Sequence, residues 1–215
     1  MSTTPFQRQQ VASGIEQLAA LARAQSRRPE DGVPALPPAH SAVLRMLEGA
    51  RPGMRAKAIA ARLGVTPASV SDTLATLETR GWIERRPDPD DGRAALVRLT
   101  RAGRRLAERL RSPLHGIGAL LEGLDEPDLA ALLRATQLLV HEAQKRGMAT
   151  GARTCLGCRH FRPFATGHRD KPHFCAFIQL PFGDAELRAD CPEQAPAPDI
   201  ELAGNALRFR QALPP

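Results

Sequence analysis

Four cysteines fall in one C-terminal stretch: Cys155, Cys158, Cys175 and Cys191, spaced C-x2-C-x16-C-x15-C. A pair two residues apart can chelate one side of a metal, and two long loops can bring in the other thiolates. Such polar loops have little core of their own, so a metal would supply folding energy. A closed tetrahedral zinc site is the favoured reading. An iron–sulfur cluster, which would make the module a redox or iron sensor, is the alternative, and metal-free thiols come third. Five of the seven Phe lie between Phe161 and Phe182 and would make a dry shell. His160, His168 and His173 lie between the cysteines but are left as supporting or surface residues, because four thiolates already complete a shell. A thioredoxin-like use of Cys155 and Cys158 lacks the strand–helix context.

The second group with chemical potential is cationic. Between Arg51 and Arg111 basic side chains outnumber acidic ones by 14 to 7, and the rest of the 215-residue chain balances, so the whole net charge of +7 sits there. A field concentrated in one segment points to a polyanionic partner, because neutralising phosphates releases condensed counterions. Arg93 stands in the turn-rich stretch Pro87-Asp88-Pro89-Asp90-Asp91-Gly92-Arg93. An arginine on a hairpin tip can enter the narrow, negative minor groove. Arg55, Lys57, Arg85, Arg86 and Arg98 are candidates for phosphate contacts. Residues 1–150 show no Ser-His-Asp, phosphate-loop or paired-carboxylate arrangement, which argues against an enzyme.

The elements that must position these groups are mostly helical. Residues 6–26 read as a helix through Val11, Ile15, Leu18, Leu21 and Ala22. A Pro-rich break from Pro29 to Pro38 precedes a helix over 39–48. A short helix over 55–63 and a Gly64–Pro67 turn lead to a helix over 67–80. That helix buries Val70, Leu74 and Leu77, and offers Ala68, Ser69, Ser71, Asp72, Thr73 and Thr76 outward. Short side chains there let a helix approach base edges closely in the major groove. Strands over 82–86 and 94–99 form a two-stranded ribbon. Trp82 is expected as a core anchor. Thr100 caps a basic helix with Leu106, Leu110, Leu114 and Ile117 inward, interrupted at Pro113. Residues 126–147 form a last long helix, with Leu129, Leu132, Leu133, Thr136, Leu139 and Val140 inward. Periodicity stops at Gly151.

The run Ala60-Ala61-Arg62-Leu63-Gly64-Val65-Thr66-Pro67-Ala68-Ser69-Val70-Ser71, then Leu77 to Arg85, then Asp88-Pro89-Asp90-Asp91-Gly92-Arg93 and Leu99 to Arg104, resembles the MarR family. The resemblance covers about residues 10–148. It implies a winged helix-turn-helix, a mainly α fold with a small β-wing, followed here by a small Cys-rich metal module. By that resemblance the DNA-binding set is Arg55, Ala68, Ser69, Ser71, Asp72, Thr76, Arg86, Asp91 and Arg93, with Asp91 holding the Arg93 guanidinium. Asp72 and Thr76 stand where the family is often basic, and Gly92 replaces a common arginine. Asp72 would accept from a cytosine amino group or face away.

The resemblance further implies a homodimer through the terminal helices and a pseudo-palindromic duplex operator. It implies a repressor, and a small lipophilic effector near Leu18, His40 and Leu44. A metal- or redox-sensing regulator and a protein-interaction adaptor on a degenerate winged helix are the rivals. The cysteine rhythm and Cys191-Pro192 are weakly similar to high-potential iron–sulfur proteins.

The expected domains are 1–150 for DNA binding and dimerisation, 151–193 for the metal module, and 194–215 as a loose tail, with a short docking helix over Ile200 to Leu213. The start of the chain is polar, and no stretch is long and apolar enough for a membrane span, so a cytoplasmic location is expected.

Overall fold

The computed structural model describes residues 4–25, 29, 33–111, 116–148 and 151–211. They form two compact units, one of residues 1–59 and 67–123, the other of 60–66 and 124–215. The second unit therefore begins well before the expected boundary near 150.

The first unit opens with α1 (Pro5–Gln25), α2 (Pro38–Glu48) and β1 (Met54–Arg55). α3 (Ala56–Leu63), whose residues 60–63 belong to the second unit, α4 (Pro67–Thr79), β2 (Ile83–Asp88), β3 (Asp91–Leu99) and α5 (Arg101–Leu110) follow. A 3-10 helix over Gly116–Gly123 closes the unit and lies against α1. The core gathers Leu36, Val43, Leu44, Leu47, Val70, Leu74, Leu77, Val97, Leu106 and Leu110. Burying each such side chain contributes roughly 1.5–3 kcal/mol.

α4 ends in a Schellman turn. Gly81 takes a φ of +68°, Gly81 N–H donates to Glu78 O, and Trp82 N–H donates to Leu77 O. The sheet runs β1-β3-β2, all antiparallel. Its hairpin is tighter than the sequence suggests, with β2 reaching Asp88 and β3 starting at Asp91. Arg55 also leaves the expected helix to pair with Leu96 as β1. Thr100 caps α5 as expected, accepting from Gly103 N–H. Pro113 and Leu114 lie outside the described residues.

The second unit contains α6 (Glu126–Lys145), β4 (Phe161–Arg162), β5 (His173–Cys175), β6 (Leu180–Phe182), a 3-10 turn at Asp184–Glu186, and α7 (Asp199–Gln211). The small sheet runs β4-β5-β6. Asp125 caps α6 through Asp128 N–H.

The buried face of α6 differs from the expected apolar stripe: it is Arg134, Gln137 and His141, while Leu132 and Leu139 are exposed. For Arg134 and Gln137 the reason is a set of hydrogen bonds across the unit, while His141 is buried with its Nδ1 unpartnered. Gln137 donates to Arg188 O and accepts from Leu156 N–H. Arg134 donates to Phe209 O and stacks on the Phe209 ring. α7 occupies the stretch expected as a loose tail with a short docking helix, and it is docked: Phe209 is fully buried with Leu156, Phe161, Phe182 and Leu187.

Candidate nucleic-acid interface and cysteine pocket

α4 presents Ala68, Ser69, Ser71, Asp72 and Thr76 to solvent while Val70, Leu74 and Leu77 are buried. Ser71 Oγ donates to Pro67 O at 3.0 Å and Thr76 Oγ1 to Asp72 O at 3.0 Å. These bonds take up the hydroxyl protons, so the outward oxygens are left as acceptors. With Asp72 they suit exocyclic amino groups of cytosine or adenine. The wing is tied to this helix, since Arg85 on β2 pairs with Glu78 on α4 at 3.2 Å.

The cations expected at phosphates divide into two sets. Arg86 and Arg98 both pair with Glu84, at 2.9 and 2.7 Å. Arg55 is held at 2.6 Å by the buried Asp88 and at 3.4 Å by Asp91. The Asp90 N–H and the Arg55 guanidinium keep the Asp88 carboxyl below its usual range. Lys57 and Arg93 are exposed and, among the described residues, have no ion pair.

Asp91 does not grip the Arg93 guanidinium. Its carboxylate accepts from the Arg93 backbone N–H at 3.2 Å and faces Arg55. The Arg93 side chain is thus free at the hairpin end.

Trp82 is half-buried under the Arg80 guanidinium, 5.1 Å from its ring, and its carbonyl presses on Gly103. His40 is partly buried with Nδ1 unpartnered, and burial, then nearby Arg80, lowers its pKa. Leu44 is fully buried and Leu18 is about half exposed.

In the second unit all four cysteines are free thiols and line one cavity of about 130 Å³. Burial pushes the Cys155 thiol up to about 11. The Arg188 N–H, donating to Cys155 Sγ at 3.2 Å, pulls the other way, and the nearby Cys191, Cys158 and Cys175 raise it further. Among the described residues no three Cys, His, Asp or Glu side chains are grouped round a point as one ion would require.

His173 is fully buried and engaged elsewhere. It accepts Phe164 N–H at Nδ1, and Nε2 lies 2.8 Å from Asp184. Burial raises the Asp184 carboxyl, but the His173 bond and Arg134 outweigh it and hold it below the usual range. The His160 ring packs against Phe177 at a tilt of 51°, and His168 is exposed.

No helix among the described residues is long and apolar enough to cross a membrane. No curated protein matches the chain. Among solved structures it is similar to CouR from Rhodococcus jostii RHA1 bound to p-coumaroyl-CoA, at 21% identity over 60% of this chain and 90% of that one, TM-score 0.53. It is also similar to the transcriptional repressor CouR bound to a 23-mer DNA duplex, at 24% identity over 63% and 95%, TM-score 0.52. Streptococcus pneumoniae FabT in complex with DNA is similar at 19% identity over 65% and 96%, TM-score 0.50. Residues 36–94 match the model of the MarR family, and the helix-turn-helix and wing share the fold of these solved structures.

Proposed function

We propose that this chain is a sequence-specific DNA-binding transcriptional regulator, a repressor rather than an enzyme, working as a cytoplasmic homodimer on a pseudo-palindromic operator. One observation carries the reading: a helix face of short acceptor side chains and an unpaired, exposed Arg93 belong to one unit, with the Glu78–Arg85 pair fixing wing to helix. α4 would lie in the major groove and Arg93 in the adjacent minor groove. Lys57 supplies a phosphate contact, and Arg86 and Arg98 can exchange Glu84 for phosphate at little cost, because exposed ion pairs are weak.

Dimerisation is supported by apolar side chains that each unit leaves open. Val11, Ile15, Leu18 and Leu21 recur along α1, all about half exposed or more, and Leu132 and Leu139 do so along α6. A second copy of the chain would cover them, setting half-sites about one helical turn apart. A small lipophilic effector would act on the unpartnered Nδ1 of His40.

Selection from a random-sequence duplex pool tests this reading. Enrichment of an inverted repeat, bound with steep salt dependence, is the expected result. An unenriched pool with shallow salt dependence would instead indicate a protein-interaction adaptor.

A further inference from the structure

Within the second unit the C-terminal turn of α7 is held to α6. Arg134 donates to Phe209 O and stacks on the Phe209 ring, and Leu133 and Leu138 pack against the cluster that holds Ala206 and Phe209. Glu142 pairs with Arg210 at 3.4 Å. His141 continues the same face of α6, seven residues on from Arg134 and one turn beyond Leu138. It is 4% exposed, and its Nδ1 has no partner. A buried ring nitrogen without a hydrogen bond costs stability, and a buried charge there would cost more.

The surroundings oppose a proton. Among the described residues the charges acting on His141 are Arg210 from α7 and Lys145 from α6, both repelling, and Glu142 from α6, attracting. Glu142 is already shared by Lys145 at 3.7 Å, Arg146 at 3.2 Å and Arg210. Burial acts in the same sense as the two cations and is the largest influence, so the folded imidazole stays below its ordinary 6.5.

α7 is the element able to yield. The stretch before it is pinned, since Arg159 N–H donates to Ala195 O, Ala197 N–H donates to Gly157 O, and Cys158 bridges Pro196. α7 itself buries only Asn205, Ala206 and Phe209. The strands β4, β5 and β6 pair with one another, so α7 can swing about Pro198 without breaking the sheet.

We propose that α7 is a latch worked by protons: protonation of His141 releases α7 from α6, with Pro198 as the pivot, and opens the cluster around Phe209 to water. In the released state water reaches the imidazole and Arg210 moves away, so that state binds the proton more tightly than the docked one. Acid therefore drives release. Each pH unit below 6.5 raises the released fraction about tenfold, until the docked imidazole itself titrates. The inference concerns the second unit alone and stands whether or not the chain binds DNA.

The test is hydrogen–deuterium exchange of the full chain at about pH 7.5 and about pH 5.5, with exchange times corrected for the intrinsic rate. Peptides covering residues 199–211 should lose protection about tenfold at the lower pH, while those of α6 and the small sheet keep theirs. His141→Gln, neutral at both pH values, should abolish the change. Should that variant unfold, nuclear magnetic resonance on the wild type decides instead, with the pH midpoint of α7 release expected to coincide with titration of the His141 ring. Protection over 199–211 that stays constant, falls equally in His141→Gln, or falls together with the whole second unit would overturn the proposal. So would a His141 ring that titrates while α7 stays docked.

Discussion

Arg62 Nη2 on α3 and Asp190 Oδ1, the residue before Cys191, are 2.6 Å apart within the second unit. Arg153 reaches the same oxygen at 2.9 Å, and its carbonyl accepts the Cys191 N–H. Within the second unit, residues 60–66 are therefore tied to a cysteine-bearing loop through one carboxylate. Asp190→Asn should cost about 1–2 kcal/mol, a value kept small because Asp190 is half exposed. Amide exchange over residues 61–64 should quicken. Unchanged exchange there would show that the pair holds nothing in place.

Gly103→Ala should be among the most damaging single substitutions in the chain. A Cβ at Gly103 would stand 1.8 Å from Trp82 O, a backbone atom that cannot yield without moving the wing from α5. A loss of about 3 kcal/mol or more is expected by thermal or denaturant melting.

Arg93→Ala should separate binding from folding. With its side chain exposed and unpaired, removal should leave the melting temperature unchanged. Duplex affinity should fall by about 1–3 kcal/mol, with a salt slope smaller by about one unit. Arg85→Ala, which frees Glu78, should weaken binding less, through a looser wing.

Acid should destabilise the fold before its carboxylates titrate. Burial lowers the pKa of His141 from its ordinary 6.5, and Arg210 and Lys145 add to the effect, with Glu142 opposing. His40 is lowered in the same sense. The unfolded chain then binds more protons than the folded one, so stability is complete above about pH 6.5 and falls as pH drops toward the folded pKa values. Asp88, Glu84, Glu142 and Asp184 are all shifted downward and lose stability only in more acidic solution. Melting temperatures between about pH 7.5 and pH 5.5 should fall for the wild type and fall less steeply for His141→Gln, in which His40 still titrates low.

The winged-helix unit was legible because its signals are local. Val70, Leu74 and Leu77 recur at helical spacing, Gly81 stops the helix, and Pro89-Asp90 turns the wing. What escaped depends on distant partners. Arg134 and Gln137 lie outside the apolar stripe expected for α6, because their partners Phe209, Arg188 and Leu156 lie far along the chain. Arg55 read as helical because only pairing with β3 makes two residues a strand. Its engagement with Asp88 likewise could not be seen from charge counting. The docking of α7, by contrast, was legible as the short docking helix expected over Ile200 to Leu213: Leu202, Ala206 and Phe209 recur at helical spacing.

Dimethyl sulfate footprinting on a selected operator tests most directly whether helix and wing enter neighbouring grooves of one duplex. The account predicts guanine N7 protection in the major groove under α4 and adenine N3 protection in the flanking minor groove. Arg93→Ala should abolish only the second. Loss of both together, or no minor-groove protection in the wild type, would contradict it.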